Sequence, residues 1–314
     1  MKFSERFSIS MFSLSVPGFF FSRRKKILLR KIIDAGSFRQ VLRHGVGLLN
    51  QESKEQVRNW IISKQTRVGG FPDRAGNCDL YYTLFGFFLA EALEVDSVFP
   101  LLRDYIRKTA TEKDHQGIDL FCMAILNASL FPVHAENKRF TDATRKISGD
   151  KEFLQNSYTP FLVILSLLSL RDYRGVIRLL KVLDASGPGI GKPCTVVAAR
   201  QVVAYLGSGG NCGITGNARD AAASTGPFSP YYRENGGFAA LKETREPDLL
   251  STAAALFALR LMNSDLRLIR PGCLEFINCL YHDGGFGAVR SDTETDVEYT
   301  FYGLLALGAM NAYD

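Results

Sequence analysis

Two carboxylates stand two residues apart at Asp296 and Glu298, at the end of the run Asp292-Thr293-Glu294-Thr295-Asp296-Val297-Glu298. A second carboxylate opposes ionisation of the first, so such a pair can hold a proton at unusually high pH. A carboxylic acid kept protonated in this way can donate to a base as weak as an alkene. The same residues also suit a plainer role. Asp296 can cap a helix and Glu298 can sit in its first turn, where the dipole favours acids. Aromatic side chains lie in helical register with them: Tyr299 and Tyr302 follow directly, and Tyr81, Tyr82 and Phe85 occupy another apolar segment, together with Phe88. Tyr158, Phe161 and Phe257 add to the set. Ring faces attract cations, which suits a carbocation cavity; ordinary core packing is the alternative use. Arg74 precedes Asp79 by five residues in a glycine-bearing loop, where a guanidinium can hold a diphosphate or simply solvate the surface. Arg67, Lys242, Arg245 and Arg290 occupy comparable loops.

Other chemistries lack their residues. The histidines at 44, 115, 134 and 282 form no close cluster, and neither G-x-S-x-G nor H-E-x-x-H occurs. Gly187-Pro188-Gly189-Ile190-Gly191-Lys192 is one residue short of a phosphate loop, with Pro193 where a hydroxyl would meet Mg²⁺. It reads as a linker between helices.

The candidate residues belong to a repeated unit. Gly69-Gly70-Phe71 is followed by Asp79 and Thr83, Gly236-Gly237-Phe238 by Asp248 and Thr252, and Gly284-Gly285-Phe286 by Asp296 and Thr300. Asp and Thr are one helical turn apart each time, and an apolar helix follows each Thr. Gly-Gly allows positive φ and ends the preceding helix, Phe can anchor the loop, and Asp can cap the next helix. Weaker units centre on Met123, Thr159 and Thr195, giving six in all. Amphipathic segments at 36–49, 54–65, 97–110, 139–155, 172–184 and 264–281 lie between them. Alternation of buried and amphipathic helices predicts an inner and an outer layer. A closed ring needs no polar end caps, and none is evident; an open solenoid is the competing arrangement. Residues 207–235, rich in Gly, Ser and Asn, form the longest irregular stretch.

These units resemble the prenyltransferase and squalene-oxidase repeat. Lys64 to Phe71 also resembles the QW-type repeat of squalene and hopene cyclases, with Phe71 where Trp is usual. The resemblance spans residues 54–95 and 230–312. It implies an all-α, (α/α)6 toroid, a closed barrel of inner and outer helices with an apolar cavity opening near the N-terminal ends of the inner ones. Those ends would favour an anion such as a diphosphate. The family's protein prenyltransferases carry zinc on D-x-C and D-x-x-H positions, which here are Tyr81, Leu250 and Glu298, and Tyr82, Ser251 and Tyr299. None is a good zinc ligand set, so no zinc is expected. Class II terpene cyclases of the family use D-x-D-D, which this chain lacks; Asp296-Val297-Glu298 comes nearest.

The chain of 314 residues is 46% apolar, enough for a large core. Its net charge of +6 is local: residues 1–31 carry eight basic side chains and one acid, and the remainder balances. No nucleic-acid partner is implied. Six cysteines without C-x-x-C spacing read as reduced thiols of a cytoplasmic protein. Residues 1–33 read as a leader, either disordered or touching a membrane surface through the apolar run 7–21 and the bases up to Lys31; Met11 offers an alternative start. Residues 34–314 form the toroid. The expected function is protonation-initiated cyclisation of a polyprenyl diphosphate or polyene. Glu298 or Asp296 would be the acid, Tyr81, Tyr82, Phe85, Tyr299 and Tyr302 the lining, and Arg74 the diphosphate contact. Mg²⁺ would enter only with a diphosphate. The alternatives are a non-catalytic toroid that binds a lipid or a protein partner, and a prenyltransferase β-like subunit.

Overall fold

The computed structural model describes residues 38–112, 115–132, 136–147, parts of 162–179, 193–207 and 224–310. Each of the three strong repeats folds in the same way. In the first, β1 (Phe71–Pro72) pairs antiparallel with β2 (Cys78–Asp79), opposing Phe71 to Asp79. The same partners meet as isolated bridges in the others, Phe238 with Asp248 and Phe286 with Asp296. The Asp side chain then caps a helix: Asp79 accepts from the Tyr82 N–H at 3.0 Å, Asp248 from Ser251 at 2.7 Å and Asp296 from Tyr299 at 2.8 Å. One turn later the Thr hydroxyl accepts the N–H of the loop Phe, at 2.9 Å for Thr83 and Thr252 and 3.1 Å for Thr300. The repeat is therefore a cap and a hydroxyl clamp that tie a buried Phe loop onto the helix it precedes.

The helices so started are apolar nearly all round and form the inner layer. They are α3 (Leu80–Ala92), α8 (Leu249–Leu261) and α10 (Val297–Met310). The weaker units supply α5 (Gly117–Leu130) and α7 (Cys194–Gly207). The helix expected after Thr159 and the segment 172–184 are described only in part, and the linker at 187–192 and much of 207–235 lie outside the described residues. Outer-layer helices precede the inner ones: α2 (Gln51–Lys64), α4 (Phe99–Glu112), α6 (Glu136–Ile147) and α9 (Arg270–Asn278). A further antiparallel pair, β3 (Tyr281–His282) with β4 (Gly285–Phe286), forms the third Gly-Gly-Phe turn.

The ring closes twice. In the inner layer α7 packs on α8, α8 on α10, α10 on α3 and α3 on α5, so the last inner helix meets the first. In the outer layer each Gly-Gly turn leans on an outer helix. Gly69 and Gly236 have φ of +103° and +87°. An added methyl would meet the Leu101 carbonyl oxygen on α4 at 2.1 Å and the Gly272 carbonyl oxygen on α9 at 1.9 Å. Gly284 does the same against Gln56 of α2, the first helix of the outer layer, and Tyr281 hydrogen-bonds the Gln56 side chain at 2.9 Å. This is the α/α toroid expected from the sequence.

One element departs from the expectation. The segment 36–49 was expected in the outer layer; it forms α1 (Phe38–Leu48), which packs intimately on the C-terminal half of α10. Gly45 lies where a methyl would stand 1.9 Å from the Leu304 carbonyl oxygen, and Gly308 answers it against Val41. Two small residues let the backbones approach, which is why amphipathicity alone does not place this helix. Arg39 of α1 stacks on Phe87 and Phe88 and bonds Glu91 at 3.3 Å and Ser129 at 3.1 Å, near the C-terminal ends of α3 and α5. The five cysteines among the described residues are free thiols. None of the described helices is long and apolar enough to cross a membrane.

Candidate active site

The N-terminal ends of α3 and α10 meet, and their first-turn side chains form one polar cluster. Glu298 is 8% exposed and accepts a hydrogen bond from the Tyr81 hydroxyl at 2.7 Å. Burial is the main reason its carboxyl is pushed up to about 7 from an ordinary 4.5; the Tyr81 hydrogen bond pulls it down, and the nearby Asp296 pushes it up further. The neighbouring carboxylate invoked from sequence is thus a lesser cause than desolvation. Tyr81 also hydrogen-bonds Tyr302, and burial raises both phenols, so both stay protonated at neutral pH.

Asp296 does two things. One oxygen caps α10, and the other takes the Arg74 Nε at 2.7 Å. Arg74 also grips Asp292 at 2.9 Å and lies 5.1 Å from the centre of the Tyr299 ring. Burial raises the Asp296 carboxyl despite the guanidinium beside it, whereas at Asp292 burial, the largest single effect, is outweighed by Arg74 and backbone N–H groups together, which hold the carboxyl below its ordinary value. Arg74 itself is firmly charged: its two carboxylate partners outweigh the effect of burial. The arginine assigned to a diphosphate from sequence therefore already has two anionic partners. Burial also raises the Tyr299 phenol, to about 12, and shifts Tyr82 upward.

One helical turn further in, the polar cluster gives way to an apolar cavity that is partly open to solvent. Phe85 and Tyr302 line it; Tyr81, Tyr82, Tyr299, Asp296 and Glu298 stand above it, around the polar cluster. Phe88, Phe257, Phe301 and Phe38 complete its aromatic lining, and small residues such as Ala198 and Ala254 also line it. Phe301 was missed from sequence although it follows Glu298 by three residues, a spacing that puts both on one helix face. Phe38 had no such signal, because α1 lies outside the repeats. Tyr158 and Phe161 fall outside the described residues.

Zinc does not fit the positions where the family pattern would place it. They hold a tyrosine, a leucine and the tyrosine-bound Glu298, and no group of three or more His, Cys, Asp or Glu among the described residues is arranged to hold a metal ion.

A scan against protein-family models matches the prenyltransferase alpha-alpha toroid domain over residues 27–110 and 213–314, more than half of the chain. The chain belongs to this family. Searches of curated proteins and of solved structures give no match. Membership of the prenyltransferase toroid family supports an isoprenoid-related function at the level of the family.

Proposed function

We propose that this prenyltransferase-type toroid holds an isoprenoid chain in its central cavity and cyclises it by protonation, with Glu298 as the acid. One observation carries the reading: a buried carboxyl with a pKa of about 7, positioned by Tyr81, stands one turn above an aromatic, apolar cavity. Protonated Glu298 gives its proton to a terminal alkene carbon. The alkene electron pair forms the new C–H bond and leaves a tertiary cation. The next alkene donates its pair to that cation, closes the ring and carries the charge onward. Loss of a proton from the last cation restores a double bond, and the Glu298 carboxylate takes that proton, directly or through Tyr81 and Tyr302. The net change is an isomerisation without a co-reactant. Phe85, Phe88, Phe257 and Phe301 offer ring faces to the travelling charge. The engagement of Arg74 by Asp292 and Asp296 favours an uncharged polyene over a diphosphate, with Mg²⁺ relevant only to the latter.

The test is incubation with uncharged polyenes and with polyprenyl diphosphates, followed by extraction and mass spectrometry. Glu298→Gln should lower turnover by about 100-fold or more, the usual worth of a positioned acid. The wild-type rate should fall as pH rises through about 7, where Glu298 loses its proton. Full turnover by the variant refutes the assignment. Binding without any product would instead make the protein a non-catalytic lipid-binding toroid.

A further inference from the structure

Glu298 stands above the cavity without lining it. Among the described residues that do line it, only Tyr302 and Thr195 carry a polar side chain. A proton that enters this hydrocarbon space is therefore best delivered by one of two hydroxyls. Thr195 belongs to α7, whereas the hydrogen bonds that start at Glu298 lead to Tyr302. Glu298 and Tyr302 are four residues apart on α10, so they share a face, about 5–6 Å apart at Cβ. The Tyr81 hydroxyl reaches across from α3 and bonds both. Phe85, one turn after Tyr81, packs on both phenol rings, with centroids at 4.8 Å from Tyr81 and 5.5 Å from Tyr302. We infer that Tyr302 hands the proton to the substrate, and takes it back, through the chain Glu298–Tyr81–Tyr302.

The inference rests on the cyclisation reading above and gives the proton its route. The chain has two senses. With Glu298 ionised, Tyr81 spends its one proton on the carboxylate, at 2.7 Å, and so accepts from Tyr302. With Glu298 protonated the sense reverses: Glu298 donates to Tyr81, Tyr81 donates to Tyr302, and the Tyr302 O–H is left for the cavity. In the transfer the Tyr302 proton joins the alkene carbon, whose electron pair forms the C–H bond and leaves the tertiary cation. The Tyr81 proton moves to Tyr302 and the Glu298 proton to Tyr81. Three O–H bonds break, two O–H bonds and one C–H bond form, and Glu298 is left as the carboxylate. When the last cation gives a proton to Tyr302, the same shifts run backwards and reprotonate Glu298. Both phenols are neutral before and after, as their burial requires. The arrangement also keeps the carboxylate oxygen off the carbocation, which it would otherwise trap as an ester.

Tyr302→Phe and Tyr81→Phe in the full chain test this, on the polyene that the wild type converts. Each keeps its ring and breaks one junction of the chain. Each should lower kcat by about 100-fold or more, as Glu298→Gln does, with KM kept within about twofold. The residual rate should no longer fall as pH rises through about 7. Adding Glu298→Gln to either variant should cost no more than about twofold further, because the three groups act as a unit. Circular dichroism identifies a variant that has failed to fold, and the other variant then decides. A folded variant with the wild-type kcat and pH profile makes Glu298 a direct donor, which overturns the relay and leaves the cyclisation reading standing. A loss confined to KM also overturns the relay, since it assigns the hydroxyl to binding alone. Absence of product from the wild type with every polyene and polyprenyl diphosphate overturns both.

Discussion

Glu298 destabilises the fold by the same burial that suits it to donate a proton. Its carboxyl moves from 4.5 to about 7, so between those values the native state keeps a proton that the unfolded chain has released. Any stability linked to this group is therefore full below about pH 4.5 and falls as pH rises through 7, by about 3 kcal/mol at the most. Asp296, also raised by burial, acts with the same sign. Urea unfolding of the wild type between pH 4 and 8 should show this decline, and Glu298→Gln, which can still accept from Tyr81, should flatten much of it. An unchanged slope in the variant would mean that the carboxyl is solvated. The residue types were legible in the sequence, since two acids at a helix start invite attention. Their division of labour was not: Asp296 is both cap and ion-pair partner, and only the folded ring brings Arg74, far away in the chain, to its side.

The repeat element was legible almost in full, because Gly-Gly-Phe, Asp and Thr recur at fixed offsets. What the offsets could not say is why Thr recurs. Its hydroxyl satisfies the buried N–H of the loop Phe while its own proton returns to the Asp carbonyl, at 2.7 Å in Thr252 and Thr300. Thr252→Val keeps the shape and removes that partner. It should cost about 1–3 kcal/mol, the penalty for an unsatisfied buried donor, measured by chemical denaturation. A second signal was present and unread. Three residues after the Thr stand Gly86 and Gly303, where a methyl would press on the Phe71 and Phe286 rings at 2.3 and 2.6 Å. The middle repeat has Ala255 there, so its Phe seat differs in detail. Gly303→Ala should destabilise by about 1–3 kcal/mol through overpacking, visible as a lowered Tm. Segment 36–49 was legible as a helix but not as to place, since its position depends on contact with Gly308 on α10, distant in sequence.

At the scale of the molecule, closure was argued from the want of end caps, and the structure supplies its physical form: α10 against α3, the third Gly-Gly turn on α2, and Arg74 spanning from the first repeat to Asp292 and Asp296 of the third. A double-mutant cycle on Arg74→Ala and Asp296→Asn should give a coupling of about 1–2 kcal/mol, reduced from a fully buried pair because Arg74 is a third exposed. Zero coupling would show that the inner helices hold the seam unaided. The joining of α10 to α3 also bears on synthesis. A ring of this kind cannot shut while its final repeat is still in the ribosome. Until then α3 presents an uncovered greasy flank, and the nascent chain depends on the speed of translation, or on a chaperone, to stay clear of its neighbours.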